Sequence, residues 1–245
     1  MRSKEMPSCP NFDRIAFAYR FLEIIAFGPY LQKARIVHLN ELAQADDVLL
    51  VGEGHGLFLK ALLEMNTQCR VTCVDASRAM LQLARKRIGE KEWERVSFEC
   101  LDLAHETLPS DKHDAIVTHF FLDCFNRTTL ERLIPMLTAT LQPTGKWLLA
   151  DFEEPPRRSA LSLFQRVGLR LLYSFFKANC GIEASKLCNL KEIFLSHGIR
   201  ETKRRCYLNE WIVSVVYEKM HADAPLVLEA DISSKKTQKA LTPSG

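Results

Sequence analysis

The sequence lacks several patterns that assign a chain to common protein classes. Its eight cysteines form no C-x-x-C pair and several lie inside apolar segments, so we predict free thiols and no metal site. Residues 1–10 are polar and lack the apolar stretch of a secretion signal, which predicts a protein of the reducing cytoplasm. The formal net charge of +3 is too small to indicate a nucleic-acid partner.

The patterns that are present predict an α/β fold. Hydrophobic residues make up 47% of the 245 residues and charged residues 26%, as in ordinary soluble domains. Apolar runs alternate with helical patterns, which predicts a Rossmann-like, mostly parallel sheet with helices on both faces. Two final strands predict a C-terminal antiparallel hairpin and complete a seven-stranded sheet. The predicted strands are 48–51, 70–74, 96–100, 114–118, 146–150, 200–207 and 211–218. The predicted helices lie near 56–65, 77–88, 128–141, 157–178 and 185–197.

Three regions follow from these patterns. Apolar residues recur at helical spacing from Phe12 until Gly28-Pro29, so residues 1–42 are predicted to form an N-terminal helical cap. Residues 43–220 are predicted to form the main domain. From about residue 221 the composition becomes polar, which predicts a disordered tail over 221–245.

A glycine-rich turn is the most informative local feature. It follows the apolar run 48–51, and a helical pattern starts directly after it. The next predicted strand, 70–74, ends at Asp75. Glycines allow close approach of a ligand, a helix N-terminus offers free N–H groups, and an acid can accept hydrogen bonds from a ribose, so we predict a nucleotide site. The glycines of this turn are Gly52, Gly54 and Gly56.

The glycine spacing distinguishes between two kinds of nucleotide site. The dinucleotide fingerprint G-x-G-x-x-G would require glycine at position 57, which is Leu57. The G-x-G-x-G turn with Asp75 instead resembles the first motif of class I S-adenosylmethionine (SAM)-dependent methyltransferases. The segment F-D-R-I-A-x-x-Y, which ends at Tyr19, is similar to the branch that contains the quinone-ring C-methylases. The resemblance covers residues 12–219 and implies SAM as the cofactor.

The resemblance also implies which residues hold SAM. Glu53 would face the methionine ammonium, Asp75 the ribose hydroxyls and Asp102 the adenine amino group. Two alternatives remain open, because Asp102 could instead be a helix N-cap or a loop acid and Tyr19 could be an ordinary core residue. The cofactor-binding residues implied in this way are Tyr19, Gly52, Glu53, Gly54, Gly56, Asp75, Ala76, Met80, Asp102, Leu103 and Thr118.

The segment after strand 114–118 is expected to face the methyl acceptor, because ligands bind beyond the carboxyl ends of parallel strands. It lacks the N-P-P-Y and D-P-P-Y patterns of amino-methylating enzymes that act on bases and glutamine. His119 and Asp123 are the candidate general bases, and His119 is the first choice because histidine titrates near neutrality. The alternative for His119 is a hydrogen bond to backbone at the strand end. Asp151 and Glu153 could also reach the acceptor.

The insert 157–178 is apolar over most of its predicted helix and carries a narrow basic stripe. Such a helix suits a cap over an apolar acceptor, peripheral contact with an anionic membrane, or a core or homodimer contact. We therefore expect methylation of oxygen or carbon on a small, apolar or aromatic acceptor. The alternatives are a lipid-headgroup or amine N-methyltransferase at a membrane surface, and a catalytically inactive SAM-fold partner protein.

Overall fold

The computed structural model of this chain describes residues 29–154 and 187–220, and these residues form an α/β fold. The helices are α1 (Pro29–Ile36), α2 (Leu57–Met65), α3 (Arg78–Ile88), α4 (Arg127–Thr140) and α5 (Leu190–Ser196). Short 3-10 turns lie at Leu39–Leu42, Glu90–Arg95 and Leu122–Cys124. The strands are β1 (Asp47–Val51), β2 (Arg70–Asp75), β3 (Val96–Cys100), β4 (His113–His119), β5 (Leu141–Phe152), β6 (Ile199–Tyr207) and β7 (Ile212–Lys219).

The seven strands form one sheet in the order β3-β2-β1-β4-β5-β7-β6. Strands β1 to β5 pair in parallel, and β7 runs antiparallel to both β5 and β6. The predicted mostly parallel sheet with a C-terminal hairpin is thereby confirmed. Val51, the last residue of β1, lies between Val74 and Thr118, so the carboxyl ends of β1, β2 and β4 meet at one edge. The strand order reverses between β1 and β4, and open α/β sheets bind ligands at such a point.

The sheet has an apolar core on each face. One core joins alternate residues of β1, β4 and β5 to α4 and α5, and includes the fully buried Trp147. The other joins the intervening residues of the same strands to α2 and α3, and includes the fully buried Phe58. A smaller cluster seats α1 against the carboxyl ends of β4 and β5 through Leu31 and Ala34.

Two elements differ in length from their predictions. Strand β5 starts at Leu141 rather than at 146, because the turn-like residues that follow are accommodated by a shift in register against β4. The final helix is limited to Leu190–Ser196, where the Asn189 side chain accepts a hydrogen bond from the Glu192 N–H and sets its start.

Several predictions concern residues outside the described parts of the chain. They are the helical pattern before residue 29 with Tyr19, the insert 157–178 and the tail 221–245. Of residues 1–42, the structure describes the last part, where α1 starts at Pro29. Among the described residues, no helix has the length and apolar character needed to span a membrane.

Candidate functional site

The glycine turn after β1 has a backbone that suits glycine alone. All three glycines have positive φ, of 69°, 68° and 81° for Gly52, Gly54 and Gly56, a region that L side chains rarely adopt. A Cβ atom on Gly56 would lie 2.7 Å from the Cα of Ala84 on α3, so this glycine lets α2 and α3 pack closely. A Cβ atom on Gly54 would meet no atom within 4 Å. The middle of the turn therefore presents bare backbone to an open space.

Asp75 fixes this turn against the end of β2. Its Oδ2 accepts a hydrogen bond from the Gly54 N–H at 3.0 Å, and its Oδ1 accepts one from the Ser77 N–H at 2.8 Å. The sequence analysis placed Asp75 beside the glycines, and the structure brings them together. The carboxylate is half-buried, and its contact with a ribose hydroxyl stays a prediction.

Glu53 has a structural role that the sequence analysis missed. Its Oε1 accepts hydrogen bonds from the N–H groups of Phe58 and Leu59, at 2.9 and 3.0 Å, and so caps the start of α2. Burial raises the pKa of Glu53 to about 7, while these N–H groups and the charge of Arg35 act in the opposite direction. Among the described residues, Oε2 has no hydrogen-bond partner. The carboxylate can therefore cap the helix and still face the ammonium of a ligand.

The residues predicted around the adenine lie at the adjoining edge of the sheet. Ala76 and Met80 are half-buried at the start of α3, where the Ser77 hydroxyl caps the helix by accepting the Met80 N–H. Leu103 follows β3 with its side chain in the core, and its carbonyl accepts a hydrogen bond from Arg132. Their contacts with adenine stay predictions.

Asp102 adopts the alternative role that its sequence position also allowed. Its Oδ1 accepts the Ala104 N–H at 3.0 Å, and its Oδ2 lies 2.9 Å from Nδ1 of His105. The carboxylate therefore organises the turn that follows β3. Its contact with the adenine amino group stays a prediction.

The structure corrects the prediction for the Thr118 side chain. Thr118 is fully buried, and its Oγ1 accepts a hydrogen bond from Nε1 of Trp147 at 2.9 Å. Side chains alternate between the faces of a strand, and this one points into the core on the side of α4. Its hydroxyl satisfies a buried indole rather than the cofactor.

His119, the first choice for a general base, lies inside the protein. It is only 5% exposed, and its ring meets the ring of Phe58 edge-on with the centroids 4.6 Å apart. Burial, with the nearby charges of Arg35 and His38, lowers its pKa well below the usual value, so the ring is neutral at physiological pH. Its Nδ1 is buried and has no hydrogen-bond partner among the described residues, which excludes the predicted alternative of a backbone hydrogen bond through that atom.

Asp123, the second candidate base, forms a carboxyl pair with Asp151. Asp151 is fully buried at the end of β5, and its Oδ2 accepts the Asp123 N–H at 3.2 Å. Burial raises the pKa of Asp151 well above its usual range, and the charge of Asp123 and a side-chain hydrogen bond between the two acids act in the same direction. Two carboxyl groups this close hold one proton between them. Because the pKa of Asp151 is raised so far, Asp151 keeps its proton at neutral pH and can donate a hydrogen bond to Asp123.

Aromatic side chains lie beyond the carboxyl ends of β4 and β5. The rings of Phe120 and Phe152 lie 5.2 Å apart, and those of Phe152 and Trp211 lie 6.2 Å apart. The ring of Phe121 covers Gly52 and contacts Phe125 edge-on at 5.0 Å. Glu153, the other acid considered for the acceptor, is held by Arg204 at 2.8 Å. The region beyond β4 and β5 therefore combines apolar rings with the pair of acids.

Phe120 also has a strained backbone, with φ of 53°. Its N–H donates to the carbonyl of Ala150 at 2.7 Å, which holds this conformation at the end of β4. Non-glycine residues in the left-handed region cost free energy and cluster at functional sites. Nothing in the sequence signals this feature, since phenylalanine has no preference for that region.

Comparison with known proteins agrees with this geometry. Residues 48–145 match the family model described as a methyltransferase domain. This range extends from β1 into β5. It contains the glycine turn and the acids predicted to bind the cofactor, Glu53, Asp75 and Asp102. Over this range the chain has the sequence pattern of a methyltransferase domain.

One curated relative of this methyltransferase domain is the malonyl-[acyl-carrier protein] O-methyltransferase of Acetivibrio thermocellus. It is 32% identical over 93 residues, which cover 37% of this chain and 31% of the relative. The corresponding enzyme of Priestia megaterium is 30% identical over 113 residues, and the match covers 39% of that enzyme. The chain thus spans about a third of the length of the curated relatives that it matches.

Solved structures of other methyltransferases share the fold. The mitomycin 7-O-methyltransferase MmcR has a TM-score of 0.64 at 18% identity, covering 86% of this chain and 61% of that one. The 1,6-didemethyltoxoflavin-N1-methyltransferase of Burkholderia thailandensis, solved with S-adenosylhomocysteine, has a TM-score of 0.58 at 16% identity. That comparison covers 89% of this chain and 94% of the other. Because these proteins methylate different kinds of atom, the likeness concerns the fold and not the acceptor.

Proposed function

We propose that this protein transfers the methyl group of SAM to an oxygen or carbon atom of a small, apolar or aromatic acceptor. The observation that carries the proposal is the Asp123–Asp151 pair at the edge of the sheet where the glycine turn also lies. SAM supplies an electrophilic methyl group when it is bound. The protein must then align an acceptor and remove its proton.

The glycine turn fits SAM in three respects. Gly54 offers bare backbone, Asp75 lies beside it with a carboxylate for the ribose, and Glu53 caps the helix through Oε1, so that Oε2 can serve the ammonium. Metal assistance is not part of the proposal. No cluster of potential metal ligands occurs in residues 29–154 or 187–220.

Asp123 is the general base in this proposal. It carries the pair's negative charge, whereas His119 is enclosed by Phe58 and buried away from an incoming acceptor. The acceptor loses a proton from its hydroxyl group or ring carbon to Asp123 as the new bond to the methyl carbon forms. Asp151 keeps its own proton and hydrogen-bonds to Asp123, which stabilises the charged form.

The same charge disfavours an anionic acceptor. A free carboxylate, such as that of the malonyl group on which the curated relatives act, would be repelled by Asp123 at close range. A neutral phenol or quinol would instead pack against Phe121 and Phe152 and place its hydroxyl near Asp123. We therefore favour a neutral acceptor.

The test is methyl transfer from isotope-labelled SAM to a panel of phenols, quinols, carboxylic acids and amines. We expect a labelled product from a neutral aromatic acceptor, with turnover reduced on the order of 100-fold or more in Asp123→Asn. Asp111→Asn is the matched control, because Asp111 is exposed before β4 at the opposite edge of the sheet. Full turnover in Asp123→Asn would exclude Asp123 as the base. Preferred methylation of amines, or SAM binding without any turnover, would favour the two alternative functions.

A further inference from the structure

A groove of about 360 Å³ lies between the segment after helix α1 and strand β6. None of the residues that line it belongs to the glycine turn or to the segment after β4. Three of them are cations at consecutive positions of β6. The groove is therefore a second concave surface, separate from the candidate functional site. It is lined by Val37, His38, Lys203, Arg204 and Arg205.

The groove is part of a positively charged strip along β6. At one end, Lys33 lies 5.5 Å from the centroid of the Tyr30 ring, which in turn lies 6.4 Å from the ring of Tyr207 at the end of β6. At the other end, the single acid of the strip forms ion pairs with two of its cations. Four cations and one acid leave a charge of +3, which equals the formal net charge of the whole chain, so the charges of all other residues sum to zero. The basic strip consists of Lys33, Lys146, Lys203 and Arg205, with Glu41 as its acid.

Apolar side chains accompany the basic strip. Tyr30, Ile36 and Val37 are 39%, 40% and 37% exposed, and they are three of the six large hydrophobic side chains that are exposed among the described residues. Exposed apolar side chains that lie together mark interaction surfaces, and complementary charge selects the partner. A small inorganic anion would contact the cations alone. The surface instead suits a partner that carries both carboxylates and apolar side chains.

Strand β6 lies at the edge of the sheet and pairs with β7 alone among the described residues. The N–H and C=O groups on its outer side can therefore accept a further strand. A second copy of this chain fits poorly, because it would bring the cations of β6 against each other, and like charges on paired strands are destabilising. A lipid bilayer does not offer a main chain for pairing. The edge and its charge together favour an extended acidic segment.

We propose that β6 binds an extended, acidic segment of a partner protein, which adds a strand to the sheet and places its carboxylates on the basic strip. This inference does not depend on the proposed function. Tyr207, at the end of β6, packs against the cluster that contains Phe120 and Phe152. A partner bound along β6 would therefore lie beside the region assigned to the acceptor.

The test uses synthetic peptides about ten residues long, enough to pair with all of β6. The first peptide alternates glutamate with valine and threonine, and the second has lysine in place of each glutamate. The third keeps the glutamates but carries N-methyl groups on alternate backbone amides, which removes hydrogen-bond donors from one edge. Binding to the full chain is measured by fluorescence anisotropy for wild type, Arg205→Glu and Arg78→Glu. Arg78 is the matched control, because it is an exposed cation on α3, which packs against β2 and β3 at the other end of the sheet.

We expect wild type to bind the glutamate peptide on the order of tenfold more tightly than the lysine peptide or the N-methylated peptide. Arg205→Glu should weaken this binding roughly 3- to 10-fold, and Arg78→Glu should behave as wild type. Amide hydrogen exchange of β6 should slow when the glutamate peptide is bound. Equal binding of the N-methylated peptide would show attraction of charge without strand pairing and would overturn the proposal. Binding to phosphatidylglycerol vesicles in place of the peptide, or an equal loss in the two variants, would overturn it as well.

Discussion

Glu53 links the ligand chemistry of the glycine turn to the stability of helix α2. One of its oxygens caps the helix, and its carboxyl group loses its proton only near neutral pH because of its burial. A carboxyl group caps a helix and binds an ammonium more strongly when it is ionised than when it is protonated. The ligand and the proton therefore compete for the same side chain.

This competition predicts pH-dependent binding of S-adenosylhomocysteine. With a folded-state pKa of about 7, Glu53 is mostly protonated at pH 6 and must release a proton when an ammonium binds. Affinity should therefore rise as pH increases and level off above pH 7, being about tenfold weaker at pH 6 than at pH 8. Glu53→Gln retains an oxygen that can cap α2, and its weaker binding should be nearly independent of pH. Calorimetry in buffers of different ionisation enthalpy would measure the released proton, and a flat profile for wild type would contradict the assignment.

Thr118 and Trp147 show how a single buried hydrogen bond constrains a residue. Thr118→Val removes the acceptor of the Trp147 N–H and leaves this donor unpaired in the core. We expect a loss of about 1–3 kcal/mol in the free energy of unfolding, measured by denaturant titration. Thr140→Val is the control, because the Thr140 hydroxyl only donates to a carbonyl of its own helix. Equal losses in the two variants would show that the indole hydrogen bond contributes no more to the free energy of unfolding than the Thr140 hydrogen bond does.

Among the elements of the fold, the glycine turn meets two different requirements, one for ligand space and one for helix packing, at different glycines. Gly54 and Gly56 both have positive φ, but only Gly56 lies against another helix. Glycine at position 54 is needed for the backbone shape and keeps the side of the turn that faces the ligand open. Glycine at position 56 is needed for the packing of α2 on α3.

Substitution by alanine should distinguish these requirements. Gly54→Ala costs about 1 kcal/mol of backbone strain and places a methyl group in the ligand space, so it should weaken S-adenosylhomocysteine binding with a small loss of thermal stability. Gly56→Ala incurs the same strain and also drives a methyl group into the backbone of Ala84, so it should be clearly the less stable variant. Differential scanning calorimetry of the two variants checks the order. If Gly54→Ala were the less stable variant, α3 would have to move away from the added methyl group at position 56 without a loss of stability.

The elements were predictable from the sequence to a greater extent than the site. Runs such as 48–51 and 70–74 are apolar because both faces of a parallel sheet are covered, and the turn with Asp75 has a fixed place in that arrangement. The cap by Glu53 is local, but a glutamate in a glycine turn does not by itself indicate it, and the pair of Asp123 with Asp151 joins residues 28 positions apart.

For the molecule as a whole, buried acids and histidines make stability depend on pH. Burial lowers the pKa of His38, His113 and His119, so these side chains stay neutral in the folded protein. Burial raises the pKa of Glu53 and Asp151, so these two acids change the stability with pH in the direction opposite to the histidines. The balance between these groups sets the pH of maximum stability.

Replacement of His119 by phenylalanine isolates one of these contributions. Above pH 6.5, the ordinary histidine pKa, His119 is neutral in both the folded and the unfolded chain and has no effect on the pH dependence. Below that pH the unfolded chain binds a proton that the folded protein excludes, so stability falls by up to about 1.4 kcal/mol per pH unit. His119→Phe keeps an aromatic ring against Phe58 and should lose less stability than wild type between about pH 6.5 and pH 5. The other buried groups remain in both proteins, so the difference between their denaturant midpoints at each pH belongs to His119, and parallel curves would show that its ring is charged in the folded state.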